Sequence, residues 1–197
     1  MNAGDRAVLA LRKANQSQDD LIARSLWLAK AVDHVVADRA VLVGGTAVNL
    51  HTGSYRPTDI DMCAHLDQSD RNALVGLGLR HTQGDHYAYE FDDGEVWLVE
   101  FPDTQVDGDI STIHLSPDDR LSVISRESLI VDRLLQATDQ TGVTFDEAVR
   151  LCVAVYQEAD WEWVGNEIGS RDLVEPGLGI EDMFVRVLDE VRSLIGR

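Results

Sequence analysis

Residues 41–66 read VLVGGTAVNLHTGSYRPTDIDMCAHL. A short apolar run, AVLV at 40–43, enters Gly44-Gly45. TAVNLHTG then fits two helical turns stopped by Gly53, because glycine takes the left-handed conformation that ends a helix without a Cβ penalty. Pro57 cannot donate to a ladder, so TDIDMCAHL at 58–66 reads as a strand entered just after it. Side chains on a strand alternate faces, which puts Asp59 and Asp61 on one side and Ile60 and Met62 on the other. Two ionised carboxylates about 7 Å apart along one face repel each other unless a cation lies between them. Magnesium or manganese removes that penalty, since such ions take carboxylate oxygens and complete their shell with water and substrate phosphates.

The glycine pair strengthens this reading. At a strand-to-helix junction it lets backbone N–H groups approach an anion, and the helix start adds a favourable dipole. Thr46 brings a hydroxyl to the same place. A phosphate cradle and a carboxylate pair within twenty residues describe phosphoryl or nucleotidyl transfer. Glu100 in VWLVEFP is the third candidate carboxylate, because an acid inside an apolar strand run is costly unless a cation or hydrogen-bond donor meets it.

Further along the chain, positions Ile22, Leu26, Ala29, Val32 and Val36 form a helical stripe across 18–38, with Ser17 or Asp19 as its cap. A helix is expected over 69–81, weakened by Gly76 and Gly78. Strands are expected at 86–91, 95–101 and 121–125, the first two joined by the hairpin signal Asp92-Asp93-Gly94. From Arg126 onward the periodicity is helical: one helix at 126–139, one or two in 145–169, and a last one from Ile180. The expected architecture is α/β (α+β), a mixed sheet flanked by helices over residues 1–125, followed by a helical half over 126–197.

Composition narrows the function classes. Net charge is −18, with 24 aspartates against 11 glutamates and lysine only at positions 13 and 30. Spread evenly, such acidity suits a halophilic interior, where molar salt shortens the Debye length to about 3 Å. With no Lys/Arg cluster, duplex DNA is not an expected partner. No apolar run reaches membrane-spanning length, and MNAGDRAVLALRKANQSQDD has no apolar signal core, so the expected location is cytoplasmic. Cys63 and Cys152 are far apart in apolar segments and read as buried thiols rather than zinc ligands.

The stretch GGTAVNLHTGSYRPTDIDM resembles the signature of the nucleotidyltransferase superfamily related to DNA polymerase β, and more closely that of AbiEii-type toxin nucleotidyltransferases. Those proteins carry GG or GS at a helix start, then an arginine, a Ser/Thr and DxD, matched here by Gly44, Gly45, Thr46, Arg56, Thr58, Asp59 and Asp61. The resemblance implies a minimal nucleotidyltransferase core, with Asp59, Asp61 and Glu100 as catalytic and metal-binding residues. It implies nucleotide contacts from Gly44, Gly45, Thr46 and Arg56, and from Arg133 in ISRESLIVDRLLQA, where the family usually has lysine. It further implies an NTP substrate, a tRNA or protein acceptor and a cognate antitoxin. Two other readings stand beside it: an inactive nucleotide-binding or interaction module of the same fold, and an acidic α/β domain with no site.

Overall fold

The computed structural model describes residues 1–53, 59–138, 142–175 and 177–196. It divides into two compact units, Met1–Ile124 and Ser125–Arg197. The first unit contains helices α1 (Ala3–Gln16), α2 (Leu21–Val35), α3 (Gly44–Thr52) and α4 (Gln68–Gly76). Its strands are β1 (Val41–Val43), β2 (Asp59–Cys63), β3 (Arg80–Gln83), β4 (His86–Glu90), β5 (Val96–Glu100), β6 (Ile110–His114) and β7 (Arg120–Ile124). They form one mixed sheet in the order β3-β4-β5-β2-β1-β7-β6. β1 runs parallel to β7 and β2 parallel to β5, and the other neighbours are antiparallel.

One sheet face is apolar. Leu42, Ile60, Met62, Tyr87, Trp97, Val99, Leu121 and Val123 are all essentially inaccessible to solvent. Register makes them one surface: Leu42 lies beside Met62 and Val123, and Ile60 beside Val99. α2 packs against β2 and β7 and buries Leu28, Ala31 and Val32. Arg24 of α2 places its guanidinium 3.8 Å over the Phe91 ring and bonds Asp93 and Glu95 in the β4–β5 turn. That turn closes where the sequence expects it, with Gly94 N–H donating to Phe91 O at 2.9 Å.

Several elements differ from expectation, each for a local reason. α2 is capped by Asp20, whose side chain accepts from Ala23 N–H, and not by Ser17 or Asp19. α1 is an additional helix that the expected elements do not include, although its buried positions Ala7, Ala10, Leu11 and Ala14 recur at helical spacing. α4 starts with an Asp67–Asp70 capping box and stops at Gly76; positive φ at Gly78 turns the chain into β3. The helix expected across 69–81 is therefore a helix and an edge strand. β6 is exposed at four of its five residues and so lacks the alternation that marks a half-buried strand.

Both lysines belong to one ion network. Lys30 lies 2.7 Å from Asp33 and 2.8 Å from Asp38, while Lys13 is 3.0 Å from Asp119 in the β6–β7 turn. Burial alone would raise the Asp38 carboxyl, but Lys30, His34 and Arg6 outweigh it and hold it at about 2.

The second unit holds α5 (Arg126–Thr138), α6 (Gly142–Val155), α7 (Trp161–Val174) and α8 (Ile180–Ile195). Asp160 caps α7 through Trp163 N–H, so the ambiguous 145–169 stretch is two helices. Trp161 stacks on Phe184 and donates Nε1–H to Tyr156 O, which makes it a packing residue. Cys63 and Cys152 are buried and not joined in a disulfide. Among the described residues no helix is long and apolar enough to cross a membrane.

Leu42 is fully buried at the centre of β1, so Leu42→Ala should cost about 2–5 kcal/mol in guanidinium unfolding. Val96→Ala, on the exposed face of β5, should change stability by no more than about 0.5 kcal/mol.

Candidate active site

The face opposite the apolar one carries the acids. On β2, Asp59 and Asp61 are half-buried while Ile60 and Met62 are sealed. The parallel pairing with β5 sets Asp61 beside Glu100 and Asp59 beside Leu98. Register partners on neighbouring strands share a face, so three carboxyl-bearing residues line the same side of β2 and β5. Asp59 titrates above the ordinary aspartate value of 3.8, first because it is buried and second because the negative charge of Glu100 bears on it.

Asp61 leans the other way. It pairs with Val43 across β1, and Gly44 follows with φ +64°. A Cβ built on Gly44 would overlap the Asp61 carboxylate, so this position demands glycine twice over, for backbone conformation and for space. The first glycine of the pair thus makes room for a carboxylate of the chain itself. Gly45 is half-buried in the first turn of α3, whose N-terminus has no side-chain cap. Thr46 is 2% exposed, and its Oγ1 donates to the Asp59 carbonyl at 3.0 Å. Its donor is committed to fixing β2 against α3. Gly53 ends α3 in the left-handed conformation, with N–H donating to Asn49 O.

Arg56 and Thr58 lie outside the described residues. Arg133 belongs to the second unit, where its guanidinium meets Asp132 at 2.9 Å and Glu147 at 3.9 Å. His51 sits half-buried on α3 and His65 is exposed beyond β2. One residue of the acid face had escaped sequence reasoning. His86 pairs with Glu100 across β4–β5, and its Nδ1 lies 3.1 Å from Glu100 Oε1. The hairpin at Asp92-Asp93-Gly94 contained that signal, since counting outward from Asp93 brings 86 opposite 100.

The donors are carboxylate oxygens, a type that hard divalent cations take, and Asp59 is shifted toward its protonated form first by burial and then by the charge of Glu100. Among the described residues no group of three His, Cys, Asp or Glu side chains is placed to hold a metal ion. Asp59, Asp61 and Glu100 share this face by register, with Asp61 lying against Gly44.

No protein-family model matches the chain, and no curated protein matches its sequence. Among solved structures it is similar to an antigenic nucleotidyltransferase-like protein from Paracoccidioides brasiliensis, at 15% identity and TM-score 0.53, over 83% of this chain and 94% of that one. The solution structure of the antibiotic-resistance factor ANT(2'')-Ia matches at 15% identity and TM-score 0.42, over 74% of this chain and 93% of that one. At this identity the likeness is one of fold: the chain has a nucleotidyltransferase-like α/β fold with a mixed sheet.

Two variants test the geometry. Gly44→Ala should destabilise the protein by at least about 1–2 kcal/mol in thermal or chemical unfolding, from the left-handed φ alone. Asp59→Asn should do the opposite near neutral pH. A carboxyl whose folded pKa is raised carries a penalty when ionised, and that penalty lifts as pH falls through the raised value toward 3.8. The stability advantage of Asp59→Asn over wild type should therefore shrink in acid, as read from unfolding curves at pH 7 and pH 4.

Proposed function

We propose that this protein is a magnesium- or manganese-dependent nucleotidyltransferase that moves a nucleoside monophosphate from an NTP to a hydroxyl of RNA or protein. The observation that carries the reading is the β2–β5 register, which sets Asp61 beside Glu100 and puts Asp59 on the same face within a nucleotidyltransferase-like fold. The motif from Gly44 to Asp61 supports the narrower reading of an AbiEii-like toxin with a cognate antitoxin.

In this reading Asp59, Asp61 and Glu100 would hold the divalent cations, Asp61 from beside the Gly44 turn. A bound divalent ion supplies charge neutralisation and acidifies the acceptor hydroxyl. The acceptor oxygen bonds to the α-phosphorus, the bond to the β-phosphate breaks, and pyrophosphate leaves with the electron pair. Glu100 takes the hydroxyl proton. Backbone N–H groups at Gly45 and Thr46 face the phosphates, and Thr46 keeps Asp59 in place through its carbonyl. Arg56 offsets charge on the leaving pyrophosphate.

The absence, among the described residues, of a side-chain group placed to hold a metal ion favours a second reading, a module of the same fold that binds nucleotide without transfer. Incubation with each labelled NTP, Mg²⁺ and total RNA or protein separates the two. Transfer should occur with wild type and drop at least roughly 100-fold in Asp59→Ala and in Asp61→Ala. Magnesium-dependent NTP retention without transfer would establish the binding module instead. Equal labelling by wild type and the double variant would overturn the catalytic assignment.

A further inference from the structure

We infer that a polar cavity between α2 and the β6–β7 hairpin is a binding site for a small zwitterion of the α-amino acid class. The cavity measures about 340 Å³, within the range that small-molecule ligands occupy. Part of its lining is the ion network of α2. Lys30 is 4% exposed and donates to Asp33 at 2.7 Å and to Asp38 at 2.8 Å, so one of its three ammonium donors is left over. Arg6 donates to the other Asp38 oxygen at 3.0 Å, and Ala40 N–H to the other Asp33 oxygen at 3.1 Å. Both carboxylates are committed within the protein. His34 is 1% exposed, with Nδ1 2.8 Å from Asp38 Oδ1. The Asp38 carboxyl is held at about 2, so near neutral pH it is ionised and can only accept. Nδ1 is therefore the protonated nitrogen. Nε2 is buried without a hydrogen-bond partner among the described residues, and Asp119 Oδ1 stands off at 3.5 Å. In the neutral ring that nitrogen is an open acceptor.

The rest of the lining comes from the hairpin: Thr112, Asp118, Arg120 and Ser122. Thr112 and Ser122 are register partners, and Arg120 stands two positions before Ser122, so all three share one face of the hairpin. Among the described residues no hydrogen bond or ion pair reaches the Asp118 carboxylate, the Arg120 guanidinium or either hydroxyl. The open charges are thus one of each sign. A simple anion would be repelled by Asp118, and a simple cation by Arg120. A zwitterion satisfies both. Its carboxylate takes the guanidinium, the hydroxyls and the spare Lys30 donor, while its ammonium donates to Asp118 and to His34 Nε2. Ser122 pairs with Val41 at the start of β1, whereas Gly44 follows the end of that strand. The cavity therefore has its own place in the sheet and does not depend on the nucleotidyl-transfer reading.

The full-length chain is titrated with the common L-amino acids while its backbone amide and His34 ring nitrogen-15 signals are followed by NMR. The tightest binder is then compared with its analogues lacking the amine or the carboxylate, and tested on Asp118→Asn, Arg120→Gln and Asp59→Ala variants. Asp118 and Arg120 are exposed, so their amide replacements leave the core intact. At least one amino acid should move the signals of Ser122 and His34 Nε2. Each truncated analogue should bind about tenfold more weakly, and so should Asp118→Asn and Arg120→Gln. Asp59→Ala should bind the amino acid as wild type does. The assignment is overturned if no amino acid moves those signals, or if a truncated analogue binds as tightly as the parent. It is equally overturned if both hairpin variants bind as wild type does, or if Asp59→Ala abolishes binding, which would put the ligand on the acid face.

Discussion

Asp59 and Glu100 stand on adjacent strands with their charges bearing on one another, and neither burial nor register lets them separate freely. Like-charged carboxylates on one sheet face destabilise the fold that holds them. The arrangement persists because the opposite face leaves the chain no choice. Ile60, Met62, Trp97 and Val99 are buried there. A slip of one residue in β2 or β5 would exchange them for Asp59, Asp61, Leu98 and Glu100, turning charged groups into the core. The hydrophobic face sets the register, and the register sets the acids together.

Around that constraint the neighbouring elements limit motion at the acid face. Thr46 ties α3 to the Asp59 carbonyl, and Gly44 gives up a side chain so that the Asp61 carboxylate can lie against the β1–α3 turn. His86 meets Glu100 from the far side. Asp61 thereby lies against the β1–α3 turn, while Asp59 on β2 and Glu100 on β5 bear on one another with like charge.

Much of this was legible in residues 41–66. The strand, the double glycine, a short helix ended by Gly53 and the alternation across Asp59–Met62 all follow from local rules, and the structure has each of them. What local rules missed were features without hydrophobic contrast or with partners distant in sequence. The exposed strands β3 and β6 are of the first kind. The contact of Asp61 with Gly44 and that of His86 with Glu100 are of the second, since each depends on strand pairing. The glycine at 44 shows the difference well. Sequence reasoning saw space for an incoming phosphate, whereas the space holds a carboxylate of the protein.

The most direct measurement is the carbon-13 NMR titration of the Asp59 carboxyl, once in EDTA and once in saturating Mg²⁺. Without metal its midpoint should lie above 3.8, as burial and Glu100 require. With magnesium it should fall below that value, because the cation reverses the sign of the field at the carboxylate. A midpoint that does not move with magnesium would contradict the claim that this acid face is built around a cation.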